Sequence, residues 1–205
     1  LPAVFFFQHS GSEPRPRAPE PASLADPNHP DKRFAYLAIR SFDGDAGALV
    51  EECRRILTLL QEAAPDGLIV DVRSNPGGSI QAAEQMLQML TPNPIQTAGF
   101  HFVSTPLTQQ NAAQISADSS FDPAALAEWQ PWIDDLLASV ASGSLLTTPR
   151  PLTASDTANA IGQIYQGPVL LLIDALSYSA TDIFCGGFQD NQVGLVVGVD
   201  PNTGG

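Results

Sequence analysis

Val169-Leu170-Leu171-Leu172-Ile173-Asp174-Ala175-Leu176-Ser177-Tyr178-Ser179-Ala180-Thr181-Asp182 decides the fold class of this chain. The five-residue apolar run reads as a strand buried on both faces, Ala175-Leu176-Ser177 as a turn, and the residues from Ala180 to about 189 as a helix. A strand, a sharp turn and a helix bring a serine hydroxyl next to backbone N–H groups that have no partner inside the helix, a geometry suited to acyl transfer. Ser179 is therefore the candidate nucleophile, and the Ala180 N–H is a candidate donor to an oxyanion. A plainer role stands beside this one, in which Ser179 caps the helix.

Working outward, the same alternation recurs. Phe34–Arg40 reads as a strand, and Asp43-Gly44-Asp45 as a turn and cap. A helix over 46–64 follows, with Leu49, Cys53, Ile56, Leu57 and Leu60 on one face. Leu68–Arg73 is a second buried strand. Ser74-Asn75-Pro76-Gly77-Gly78 leads from it into a helix over 79–90. A strand is expected over 95–103, the stretch 104–121 is polar and carries no clear period, and Asp122-Pro123 starts a helix that Pro131 either kinks or divides before Val140. The stretch 142–157 reads as a loop, 156–165 holds a short helix, and 194–199 closes as a strand. Strands alternating with helices imply an α/β domain over 34–205. Residues 1–33, with six prolines between 11 and 33, read as an N-terminal segment and linker or long loop.

Composition narrows the function classes. Hydrophobic residues make up 43% and charged residues 15%, which fits a packed globular chain. Twenty-two acidic residues against nine basic ones give a net charge of −13, so no basic stripe is available for nucleic acid. No apolar run is long enough to span a membrane. Cys53 and Cys185 read as free buried thiols, with a single bridge as the alternative. No Cys-x-x-Cys or His-x-x-x-His pair suggests a metal site.

A serine needs a proton acceptor and donors for the developing oxyanion. Gly77 and Gly78, at the end of the second strand, let the backbone present N–H groups without obstruction, so Gly77, Gly78 and Ala180 form a candidate oxyanion hole over Ser179. The acceptor is harder to find. Lys32 is the sole lysine and lies in the proline-rich stretch, while His9, His29 and His101 have no sequence tie to Ser179. Asp174, Asp182 and Asp190 receive structural roles first, Asp182 favouring the helix dipole. No phosphate-binding loop, dinucleotide fingerprint or Gly-x-Ser-x-Gly elbow is present.

Asp71-Val72-Arg73-Ser74-Asn75-Pro76-Gly77-Gly78 resembles the Asp-Leu-Arg-x-Asn-x-Gly-Gly segment of the C-terminal processing, or tail-specific, serine peptidases of family S41. Ser177–Asp182, Phe188–Asn191 and Gly194–Gly198 resemble that family's nucleophile helix and following strand. The resemblance implies a crotonase-like (ClpP/crotonase) α/β fold built of stacked ββα units. It also implies endopeptidase cleavage of a polypeptide substrate through an acyl-enzyme on Ser179, flanked by Ser177 and Thr181, without metal or organic cofactor. It places the protein among secreted or cell-envelope enzymes.

One departure is evident. Many tail-processing members carry a lysine base after the serine, whereas Asn202-Thr203-Gly204-Gly205 offers no amine here. This resembles the branch typified by a secreted chlamydial protease, in which a histidine far upstream is the base and a downstream glutamate assists it. Both positions would fall outside residues 1–205. The Gly204-Gly205 end and the start without methionine are thus expected to mark a fragment, completed by the remaining segments of its precursor. Two alternatives carry over: a noncatalytic peptide-binding module on the same scaffold, and a crotonase-like hydratase or thioester enzyme sharing the two-donor device.

Overall fold

The computed structural model describes residues 4–7, 24–26, 28–118, 120 and 122–205. His9 and most of the proline-rich stretch lie outside them. The described chain forms two compact units, Ala98–Leu152 and the segments on either side of it.

The first unit is organised by parallel strands. β1 (Val4–Phe7), β3 (His29–Ile39), β4 (Gly67–Asp71), β7 (Val169–Ile173) and β8 (Leu195–Gly198) lie in the order β1-β3-β4-β7-β8, each parallel to its neighbour, and β2 (Leu24–Asp26) adds antiparallel to β3. Parallel neighbours cannot be joined by a tight turn and need a crossover. α1 (Ala46–Ala63) supplies it between β3 and β4, and α6 (Ala180–Asp190) between β7 and β8. α2 (Ile80–Gln88) and α5 (Ser155–Ala158) lie on the long path from β4 to β7. Asp45 caps α1 through the Ala48 N–H at 2.8 Å, and Ser79 caps α2 through the Ala82 N–H at 3.1 Å. One apolar cluster joins Leu37, Ile39, Leu68, Val70 and Leu171 of the sheet to Leu57 and Leu60 of α1, Met86 and Leu87 of α2, and Phe184 and Phe188 of α6. Cys53 and Cys185 are both free in this core, and burial pushes each thiol up to about 12.

This topology corrects the ββα expectation. The α/β class stands, but each central strand passes into a helix and returns parallel in one sheet. Antiparallel pairs among the described residues are confined to β2 with β3, β5 (Gly99–Phe100) with β6 (Arg150–Pro151), and the isolated Val103–Leu146 bridge. A repeat of ββα units requires two consecutive strands before each helix; β2 and β3 precede α1, but β4 alone leads into α2 and β7 alone into α6.

The second unit holds β5 (Gly99–Phe100), paired antiparallel with β6 (Arg150–Pro151), together with α3 (Pro106–Ala117) and α4 (Pro123–Ser142). α4 runs unbroken through Pro131 and ends at Gly143 with φ +71°. α3 occupies the stretch without an apolar period, since Ala112 is its one buried residue; a Thr105/Thr108 capping box and Pro106 at its start define it instead. The strand expected over 95–103 contracts to Gly99–Phe100.

Candidate active site

Because β4 and β7 are adjacent and parallel, with Val70 opposite Leu171, the loops that follow them emerge side by side at the carboxyl end of the sheet, where open α/β sheets place ligands. The loop after β7 is tied down at its root. Ser177 is fully buried; its hydroxyl accepts the Asp174 N–H at 3.2 Å and lies 3.0 Å from the Val72 carbonyl, while the Ser177 N–H closes the turn onto the Asp174 carbonyl at 3.0 Å. The Asp174 carboxylate reaches across to the β4 loop, accepting the Ser74 N–H at 2.9 Å and the Ser74 hydroxyl at 3.2 Å. Burial pushes this carboxyl up. Bonds from the Ser74 and Leu176 N–H groups and the Ser177 and Ser74 hydroxyls outweigh it and hold Asp174 below its ordinary value.

Ser179 follows at the head of α6 with φ 58° and ψ −120°, a left-handed conformation that costs a non-glycine residue about 1–3 kcal/mol. It occupies the cap position, yet its side chain makes no capping hydrogen bond. The residue is exposed, and its hydroxyl has no hydrogen-bond partner among the described residues. The helix start is held by the backbone instead: the Asp182 and Ile183 N–H groups bond the Ser179 carbonyl at 2.9 and 3.3 Å, and the Thr181 N–H bonds that of Tyr178 at 3.0 Å. The Ala180 N–H donates to no described residue.

The glycine loop lies directly against this turn. A Cβ on Gly77, whose φ is +100°, would stand 2.6 Å from the Tyr178 carbonyl oxygen, 2.8 Å from the Ser179 Cβ and 2.9 Å from the Ala180 nitrogen. Gly78, at φ +136°, crosses the chain after β3 so closely that a Cβ would fall 2.1 Å from the Phe42 carbonyl carbon. The Phe42 N–H bonds the Gly77 carbonyl at 2.8 Å, and the Ser79 N–H bonds that of Phe42 at 2.7 Å. The two glycine N–H groups differ in their engagement: that of Gly77 is donated to Asn75 Oδ1 at 2.9 Å, whereas that of Gly78 has no acceptor among the described residues.

Two groups at the site escaped sequence reasoning. Asn75 is fully buried, and its signal was the Asn-x-Gly spacing, because an Asx side chain commonly bonds the N–H two residues on. Asp71, also fully buried, binds Arg73 through its N–H, Nε and Nη2 at 3.0, 2.9 and 2.8 Å, with Tyr36 Oη and Arg40 Nη2 on the same carboxylate. Finding that cluster required the β3–β4 register, which pairs Ala38 with Asp71.

The remaining residues singled out from the sequence fall elsewhere. Lys32 pairs with Asp66 at 3.1 Å. His29 is exposed on β3 and engaged in contacts of its own. His101 belongs to the second unit, where Nδ1 meets the Thr147 carbonyl at 2.8 Å. Asp182 Oδ1 accepts the Gly205 N–H at 2.9 Å, and Asp190 ends α6. Among the described residues no His, Cys, Asp or Glu cluster could hold a metal ion, and no helix is long and apolar enough to cross a membrane.

The sequence profile of peptidase family S41 matches residues 33–205. The chain belongs to peptidase family S41. Its α/β fold is thus that of an S41 peptidase, not the crotonase-type repeat that the sequence resemblance implied. An uncharacterised protein of Chlamydia muridarum is 27% identical over 170 residues, covering 72% of this chain and 28% of its own length. A protein of Chlamydia pneumoniae is 26% identical over 159 residues, covering 67% of this chain and 26% of its own. Among solved structures, mature CPAF complexed with lactacystin superposes with a TM-score of 0.61 at 23% identity, over 90% of this chain and 40% of that one. A serine-to-alanine mutant of CPAF gives 0.58 at 21%, over 90% and 39%. At these identities the likeness establishes the fold, and the S41 chain spans well under half the length of each relative.

Proposed function

We propose that this S41 chain carries the nucleophile and oxyanion hole of a serine endopeptidase that cleaves polypeptides through an acyl-enzyme. Ser179 attacks the scissile carbonyl, and the Gly78 and Ala180 N–H groups receive the oxyanion that forms. The observation that carries this reading is the state of Ser179: a serine in a strained cap position, exposed and free of any capping bond, beside two N–H groups without acceptors among the described residues. A serine kept merely to cap a helix would use its oxygen for that purpose.

The proton acceptor comes from a segment of the same gene product outside residues 1–205. The likeness to CPAF, whose chain is more than twice as long as the matched part, supports such completion by further segments. One observation favours a second reading, a noncatalytic peptide-binding module: no described residue accepts a proton from Ser179.

Peptide hydrolysis by the complete gene product and by its Ser179→Ala variant separates the two. Under the peptidase reading the variant loses at least about a thousandfold in kcat, and a fluorophosphonate labels Ser179 in the complete product but scarcely in residues 1–205 alone. Lactacystin, found in complex with CPAF, serves as a second probe. Undiminished hydrolysis by Ser179→Ala overturns the peptidase reading. Peptide binding with neither hydrolysis nor labelling establishes the module.

A further inference from the structure

The two glycines of the loop are equivalent in sequence but not in engagement, and the residue that separates them is Asn75. Resting on the peptidase reading above, we propose that Asn75 is a positioning residue that withdraws the Gly77 N–H from the site and leaves Gly78 as the loop's oxyanion donor.

Its side-chain amide is engaged at both ends: Oδ1 accepts the Gly77 N–H at 2.9 Å and Nδ2 donates to the Ile39 carbonyl at 3.0 Å. Its own carbonyl accepts the Tyr178 N–H at 2.9 Å. A single fully buried residue thereby joins the end of β3, the glycine loop and the serine turn. The consequence for Gly78 follows from peptide geometry. The Gly78 N–H shares a peptide plane with the Gly77 carbonyl, and in a trans peptide the two point in opposite directions. The Phe42 N–H holds that carbonyl at 2.8 Å, so the Gly78 N–H is turned away from the Phe42 segment. Asn75 fixes the preceding peptide through Gly77, and Phe42 fixes the following one. With positive φ at both glycines, the Gly77–Gly78 peptide has no side chain on either side to restrain it, and these bonds set the plane that carries the donor.

The test uses the complete gene product. Asn75→Ala removes both amide bonds and lowers kcat by about a hundredfold at unchanged KM, the loss typical of one misplaced oxyanion donor, with fluorophosphonate inactivation slowing in parallel. Asn75→Asp keeps an acceptor for the Gly77 N–H and recovers part of kcat. A folded Asn75→Ala protein with wild-type kcat overturns the proposal, as does a loss that only tracks the unfolded fraction in circular dichroism. Should the variants fail to fold, amide exchange on the wild type decides. Gly77 is expected to be protected throughout, and Gly78 and Ala180 to become protected only in the Ser179 adduct. Protection of Gly77 arising on adduct formation overturns the assignment. If no label reaches Ser179, the peptidase reading itself has failed. If Ser179 is labelled while Asn75→Ala keeps its kcat, only the present inference falls.

Discussion

A glycine is replaceable where a methyl group meets open space and indispensable where it meets backbone, and this chain offers both cases. Gly186, in the interior of α6, has nothing within 4 Å of a would-be Cβ, whereas Gly77 has φ +100° and the Tyr178 carbonyl oxygen at 2.6 Å. Gly186→Ala is expected to stabilise by about 0.5–1 kcal/mol, through reduced freedom of the unfolded chain and better helix propensity. Gly77→Ala is expected to destabilise by at least about 2 kcal/mol, because the clash falls on backbone that cannot swing aside and the conformation itself is strained. Urea unfolding midpoints check both signs. In the complete gene product, Gly77→Ala should also abolish Ser179 labelling by displacing the serine turn. That Gly77-Gly78 would matter was legible from its place after a strand. Which of its two N–H groups stays free was legible only in part: the Asn-x-Gly spacing signals the bond that occupies the Gly77 N–H, whereas the plane fixed by Phe42 is a contact between distant segments that no local spacing carries.

Among the elements, β3 and β4 are joined on one face by a buried charge. Burial pushes the Asp71 carboxyl up, but bonds from the Arg73 and Tyr36 side chains and the Arg73 N–H, with the charge of Arg40 nearby, outweigh it and hold Asp71 far below the usual carboxylate range. A carboxyl depressed in the folded state contributes fully above its unfolded value, near 3.9, and loses that contribution as pH falls through the lower folded value. Stability should therefore decline as pH drops below about 4, with Asp174 adding to the same slope from its own depressed value. Asp71→Asn should cost about 2–3 kcal/mol at neutral pH. This lies below the range for wholly buried pairs, because the Arg40 and Arg73 side chains are 31% and 38% exposed. The variant should also flatten the acid limb in pH-dependent urea titrations, and an unchanged limb would assign the lability to other carboxylates. The strands themselves were visible as Phe34–Arg40 and Leu68–Arg73. Their pairing was not, since a single sequence carries periodicity but no register, and a slip of one residue would turn Asp71 to the opposite face.

At the scale of the whole molecule, the site and the large core belong to one of the two units. Every buried member of the main apolar cluster, from Ala35 to Phe188, lies outside Ala98–Leu152, as do Asn75, Gly77, Gly78, Asp174 and Ser179. Among its described residues, the second unit's apolar cluster consists of Ala112, Ile133 and Leu136, with Leu126 packed against them, while Leu107, Leu137 and Leu145 are exposed. So small a core does not offset the conformational entropy of its chain. The alternation of strands and helices revealed the first unit because its elements bury continuous apolar faces. The second was harder to read, since α3 is specified by its cap and its starting proline while contributing one buried residue. Replacing 98–152 by a flexible Gly-Ser linker should therefore leave a cooperatively unfolding protein, with slow amide exchange retained in β3, β4 and β7. The excised 98–152 peptide should show no cooperative transition by circular dichroism. Loss of exchange protection in β4 and β7 in the linked variant would show that the parallel sheet depends on the insertion, against the separation of the two apolar clusters.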